Sequence, residues 1–219
     1  MSMTEEDYAY DQYMTELYEE HKAEAIDEFT AERLQSYYSD NKLLAQPAFH
    51  MLNEAKNLVK VNVTAGFVFG AVAMEVGLKE TLLKPIVFGL VHIASSASLV
   101  TNLVMSHQSM DRYKELLLQI LRDHGGVDLQ IYKRPSSTKT IWEEIKIVQT
   151  KRNHILHAAQ TASLEEASLS LDVASTIMGE LFPAVIIRMG LHLHDGYRIC
   201  ADWKCKFEGT EIGKFMKTT

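Results

Sequence analysis

Residues 140–157 read TIWEEIKIVQTKRNHILH, and this stretch decides how the rest of the chain is understood. Thr140 followed three residues later by Glu143 is the pattern of a capping box, in which each side chain satisfies the other's otherwise unpaired backbone amide. Beyond it, Ile141, Ile145, Val148 and Ile155 recur at helical spacing and form one apolar stripe. Arg152 interrupts that stripe. A guanidinium on an apolar face needs partners, because an unpaired buried charge is costly. It either pairs internally, faces another subunit or lines a polar cleft. Asn153 and His157 stand four apart and share a face. Arg152 and His157 are five apart, about 140° of rotation on a straight helix.

The same helical period extends outward in both directions. Residues 4–38 predict one or two amphipathic helices, with Tyr8, Tyr10, Tyr13, Leu17 and Tyr18 set among acids, and residues 43–60 predict another. Asn62 or Thr64 is placed to cap a third helix, apolar nearly all round and therefore central, which Pro85 is expected to stop near Lys84. Helices over about 86–107 and 111–123 follow, ended by Gly125-Gly126. The clear loop is 125–139, GGVDLQIYKRPSSTK. Ser163 and Glu166 form a second capping-box pattern, opening a helix to about residue 193 that Pro183 should kink. The tail shows no period, and no run alternates as a strand does. The expected class is all-α: an acidic N-terminal segment over 1–40, a helical bundle over 41–195 and a tail over 196–219.

Composition narrows the setting. The chain has 219 residues and a net charge of −7. Residues 1–32 hold eleven acids and one base, Lys22, so they carry −10 and the remainder +3. That acidic run reads as a solvated helix face or as an arm shielding a site. The body is not basic enough for a non-specific nucleic-acid binder. Two cysteines make no disulfide framework and point to a reducing, cytoplasmic setting. The first thirty residues are unlike a signal peptide. Between Lys84 and Asp111 no Asp, Glu, Lys or Arg occurs, but polar residues there such as His92, Ser95, Ser96, Asn102 and Gln108 argue against a lipid-facing span. The stretch reads as buried helix, turn and helix, with no membrane partner. His192, His194, Cys200 and Cys205 are metal-ligand types, yet H-x-H-x5-C-x4-C matches no trusted finger spacing, so packing without metal is expected. No phosphate loop, dinucleotide fingerprint or Gly-x-Ser-x-Gly elbow occurs, and no cofactor is expected.

Arg152-Asn153-x-x-x-His157, late in a helix and followed by a capped long helix, resembles the motif of the HEPN family. The segment Ala73–Leu83, AMEVGLKETLL, is similar to the earlier apolar helix of that family with its embedded acid, here Glu75. The resemblance covers roughly residues 45–193. It implies an antiparallel helical bundle that dimerises, so that two motifs meet at a twofold axis. It further implies metal-free RNA cleavage in a toxin or anti-phage role, with tRNA or mRNA as substrate, or else a non-catalytic module binding a nucleotide or a partner such as an antitoxin. Where one subgroup has a tyrosine two residues after the motif histidine, this chain has Ala159, which leaves control through that tyrosine without a basis.

The chemistry fits those residue types. RNA, unlike DNA, carries its own nucleophile in the 2′-OH. A group of near-neutral pKa must take that proton, a task suited to His157. A fixed cation must stabilise the phosphorane, a task suited to the planar fork of Arg152. Asn153 is expected to orient His157 or the phosphate, and the product is expected to be a 2′,3′-cyclic phosphate. Glu75 either pairs with Lys79, four residues on, or supports Arg152 from behind. His154 is expected to be a surface or interface histidine. Lys133, Arg134, Lys139, Lys146 and Lys151 either guide a phosphate backbone or belong to a solvated loop and helix face.

Overall fold

Both capping boxes form. Thr140 accepts from the Glu143 amide while the Glu143 side chain accepts from the Thr140 amide, and Ser163 and Glu166 do the same. Asn62 caps its helix, its Oδ1 accepting from Ala65 N at 3.0 Å. The computed structural model describes residues 5–91, 93–105, 114–123, 125–202 and 204–205. Helices α1 (Glu5–Asp40), α2 (Gln46–Leu58), α3 (Val63–Val76), α4 (Lys84–Leu90), α5 (Ala94–Met105), α6 (Lys114–Asp123), α7 (Ile141–Ala158), α8 (Leu164–Thr176) and α9 (Phe182–Arg188) are joined by two π-helical segments, Gly77–Leu83 and Ile177–Leu181. The protein is all-α apart from a two-stranded hairpin, β1 (His192–His194) and β2 (Arg198–Cys200).

α3 is central, as its composition predicts, and packs against α2, α7 and α8. Small residues permit the close approach. A Cβ on Gly66 would lie 2.6 Å from Val59 Cα, and one on Gly70 would lie 2.3 Å from Ser170 Oγ. Ser170, fully buried, donates to Phe67 O at 2.9 Å and so satisfies itself across the α3–α8 contact. The core gathers Leu52, Phe67, Met74 and Leu78 with Ile145, Val148, Val173, Met178 and Phe182. Among the described residues, Leu164–Arg188 is long and apolar enough to cross a membrane, and 56% of its most apolar window is buried inside this bundle.

Two expectations fail in physically informative ways. Pro85 does not stop the third helix. Proline removes an amide and crowds the carbonyl four residues earlier; here the wider π-helical turn of Gly77–Leu83 absorbs this, and α4 continues with Pro85 in its first turn. Pro183 is met in the same way by Ile177–Leu181, and the two loosened segments pack on each other, Gly77 against Met178. Tyr38, fully buried, donates its hydroxyl to Thr81 O at 2.7 Å inside the first of them. Next, the 84–111 stretch is not buried throughout. The helix breaks at the extended Val91, and Leu90, Ile93, Leu99, Val100 and Leu103 are exposed, while Ala97 and Thr101 of α5 turn inward. Residues 92 and 106–111 of that stretch lie outside the described residues. Of the two readings of the acidic run, the described residues show the solvated helix face. α1 packs on α4 and β2 through its C-terminal part, where Leu34 and Tyr38 are buried. Its described residues from 8 to 29 are exposed apart from half-buried Leu17.

The described start of the tail forms a hairpin with the residues before it, where no period predicted one. The chain turns at Asp195 and Gly196, with φ of 54° and 82°. The hairpin pairs His192 with Cys200 and His194 with Arg198, and it bridges the expected boundary at residue 195. Ile199 is buried and its amide donates to Lys42 O at 2.9 Å, tying β2 to the α1–α2 connection.

Candidate functional site

α7 sets the site. Ile141, Ile145 and Val148 are fully buried and Ile155 is half-buried, so the apolar stripe faces the bundle and carries Arg152 to its edge. Arg152 Nη2 is ion-paired and hydrogen-bonded to Glu75 Oε1, one residue before α3 ends. The side chains are 14% and 15% exposed. Arg152 Nη1 donates to Asn153 Oδ1 at 3.1 Å. Its Nε is buried with no partner among the described residues. Glu75 therefore meets Arg152, the second of the two roles open to it in the sequence, and Asn153 holds the guanidinium rather than His157. Half-buried Lys79 lies one turn beyond Glu75, within the π-helical segment.

His157 is exposed in the last turn of α7, and the helix runs unbroken to Ala158, where Ala159 adopts φ 52°. Within one chain the motif's arginine and histidine thus remain on different sides of the helix. The loop after His157 is fixed from behind, since Ala162 N donates to Thr64 Oγ1 at 3.0 Å. Exposed His154 joins Lys146, Ile147, Thr150 and Lys151 around a shallow groove of about 370 Å³ on the outer side of α7. A cleft of about 610 Å³ lies elsewhere, lined by α2 residues such as His50 and Asn53, with Asp195 and Tyr197 of the hairpin turn; it includes no motif residue.

Arg134 and Lys151, both expected as phosphate guides, are engaged by acids. Arg134 clamps buried Glu144 through Nε and Nη2 at 2.7 and 2.9 Å, and its Nη1 reaches Asp172 at 3.1 Å. Burial pulls the Glu144 carboxyl upward, but Arg134 and Ser137 outweigh it and hold the group below the ordinary carboxylate range. The loop is correspondingly not a solvated tether: Leu129 is buried, and Ile141 N donates to Tyr132 O at 2.9 Å. Lys151 is held by Glu166 at 2.9 Å, an ion pair linking α7 to the first turn of α8. Lys133, Lys139 and Lys146 are exposed.

The hairpin brings together residues the sequence left apart. Ligand atoms of His192, His194 and Cys205 lie within 4.8 Å of one another. His194 Nδ1 contacts Cys205 Sγ, and the two sulfurs are 3.6 Å apart. Asp195-Gly196, a strong hairpin-turn dipeptide, is the signal that could have revealed this.

What fold and site define together is an all-α protein with an acid-anchored arginine and an exposed histidine late in one helix. Compared with family models, curated proteins and solved structures, the chain shows no match.

Proposed function

We propose that the protein is a dimeric, metal-independent endoribonuclease of the HEPN kind, acting as a toxin or in anti-phage defence. The observation that carries this is Arg152, anchored by Glu75 and Asn153 at the edge of α7's buried stripe, with His157 exposed in the last turn of the same helix. His157 takes the 2′-OH proton, or returns a proton to the departing 5′ oxygen. The 2′ oxygen attacks phosphorus, and Arg152 stabilises the charge that develops on the phosphorane. The cuts leave a 2′,3′-cyclic phosphate and a 5′-hydroxyl. Exposed Ile147 and Leu156 on α7 support its use as the dimer contact.

One observation favours a second reading, a structural helical dimer. The Arg152–Glu75 pair joins α7 to α3 and would brace the bundle with no chemistry at all. RNA cleavage without added divalent ions separates the two. Arg152→Ala and His157→Ala should each lower the rate at least about a hundredfold, with helical content unchanged and cyclic phosphate ends in the wild-type products. Wild-type rates in both variants, or dependence on added Mg²⁺, would overturn the ribonuclease reading. A monomer by light scattering would remove its shared site.

A further inference from the structure

We propose that His192, His194, Cys200 and Cys205 bind one Zn²⁺ in a closed tetrahedral site that fastens the C-terminal hairpin to the bundle. The inference uses no residue of the α7 motif and stands whether or not the protein cleaves RNA.

The hairpin dictates the arrangement. Residues two apart on a strand share a face, so His192 and His194 project to one side. His192 pairs directly with Cys200, and opposed residues of an antiparallel pair share a face too. Cys205 is delivered by a separate turn: Lys204 N donates to Asp202 Oδ1 at 3.0 Å, and Cys205 N donates to Asp202 O at 3.2 Å. All four side chains are half-buried.

The sulfur separation suits zinc. With Zn–S near 2.3 Å and Zn–N near 2.0–2.1 Å, tetrahedral ligand atoms stand about 3.3–3.8 Å apart. The Cys200–Cys205 sulfur separation of 3.6 Å falls inside that range, and Cys205 in turn clusters with His192 and His194, their ligand atoms within 4.8 Å of one another. His194 carries the orienting partner that metal-binding histidines usually have. Its Nε2 lies 3.2 Å from Asp195 Oδ2, which places the proton there and leaves the Nδ1 lone pair facing Cys205 Sγ. Two thiolates and two imidazoles select zinc over magnesium or calcium. Four protein ligands leave no open position, so the role is structural.

Such a clamp has a purpose here. A two-stranded hairpin is marginal by itself, yet this one buries Ile199 and carries the bond to Lys42. Ligand thiols deprotonate on binding, so the site releases protons as it fills and weakens in acid.

The test uses the untagged full chain, expressed with added zinc and purified under reducing conditions. Elemental analysis should find about one zinc per chain, falling to background in Cys200→Ser/Cys205→Ser. Stripped wild-type protein titrated with Co²⁺ should develop thiolate-to-cobalt charge transfer and the intense visible bands of a tetrahedral site, which needs no variant to fold. Asp195→Asn should keep the spectrum and weaken affinity about 10–100-fold. Substoichiometric zinc in the reduced wild type overturns the proposal. So does zinc retained by the double cysteine variant, an octahedral cobalt spectrum, or a Cys200–Cys205 disulfide that persists under reduction without metal.

Discussion

If Arg152 and His157 act on the same phosphate, the geometry of α7 dictates where they must come from. The helix is continuous from Ile141 to Ala158, and five residues correspond to about 140° of rotation. Arg152 is directed inward to Glu75, whereas His157 is exposed. Two catalytic groups need hydrogen-bond reach of one reacting centre, which one copy of this helix does not provide and which the proposed pairing of two copies across a twofold axis would. Each dimer then contains two sites, each built from one chain's arginine and the other chain's histidine. Mixing inactive Arg152→Ala chains with inactive His157→Ala chains therefore restores activity. In a mixed dimer one site lacks both groups and the other has both. Random exchange makes about half the dimers mixed, so about a quarter of all sites are intact. With each parent down about a hundredfold, the mixture should run about 25-fold above either parent alone. The assay is RNA cleavage after co-refolding equal amounts, with differently sized tags confirming mixed dimers. Confirmed mixed dimers with no gain over the parents would refute the shared site.

Three further outcomes follow from the packing. Glu75→Leu or Arg152→Leu alone should cost about 3 kcal/mol, because each strands a largely buried charge, while the double variant costs less than either; urea denaturation should show this, and losses adding within about 0.5 kcal/mol would mean the pair does not form. The Glu144 carboxyl is held below its unfolded value, so it contributes stability above the ordinary carboxylate range that is lost as pH falls through the lowered one. Arg134→Met should therefore destabilise at neutral pH and flatten the acid limb of a stability-versus-pH curve, and an unchanged limb would count against the clamp. Gly66→Ala puts a Cβ 2.6 Å from Val59 backbone and should cost at least about 1–3 kcal/mol by thermal unfolding, a loss absent from Gly179→Ala, whose Cβ meets nothing within 4 Å.

Much of this architecture was legible because its determinants are local. Capping boxes at Thr140 and Ser163, the Asn62 cap and the stripe of α7 depend on residues three or four apart, and all form. The failures depend on partners far along the chain. The effect of Pro85 turned on whether a π-helical turn with a close-packed neighbour, Met178, was available. Arg134 looked like a phosphate guide because neither Glu144 nor Asp172 announces from sequence that it faces that loop. The four metal-ligand types looked scattered because their spacing was compared with known fingers, whereas strand register and the Asp202 turn bring them together. Within the motif, the sequence placed Arg152 on an apolar stripe needing a partner; that Glu75 of α3 supplies it required the α3–α7 packing.

The anchored arginine also bears on which RNA such a site would accept. Glu75 and Asn153 draw on two of the five N–H donors of Arg152, and the buried Nε removes a third from easy reach. What remains for a phosphate is one proton on each terminal nitrogen, a pre-oriented fork that loses little freedom on binding. Pre-orientation favours stabilisation of the transition state over capture of substrate from solution. Capture has little other help. Arg134 and Lys151 are committed to acids, Lys133 and Lys139 are exposed near the motif in sequence, and residues 1–32 carry −10. Non-specific affinity rises with the number of phosphates neutralised, so on the ribonuclease reading such a surface would bind unstructured RNA weakly. Selectivity on the ribonuclease reading must then come from shape, with a folded RNA such as a tRNA presenting one strained, unpaired nucleotide to the groove between two copies of α7.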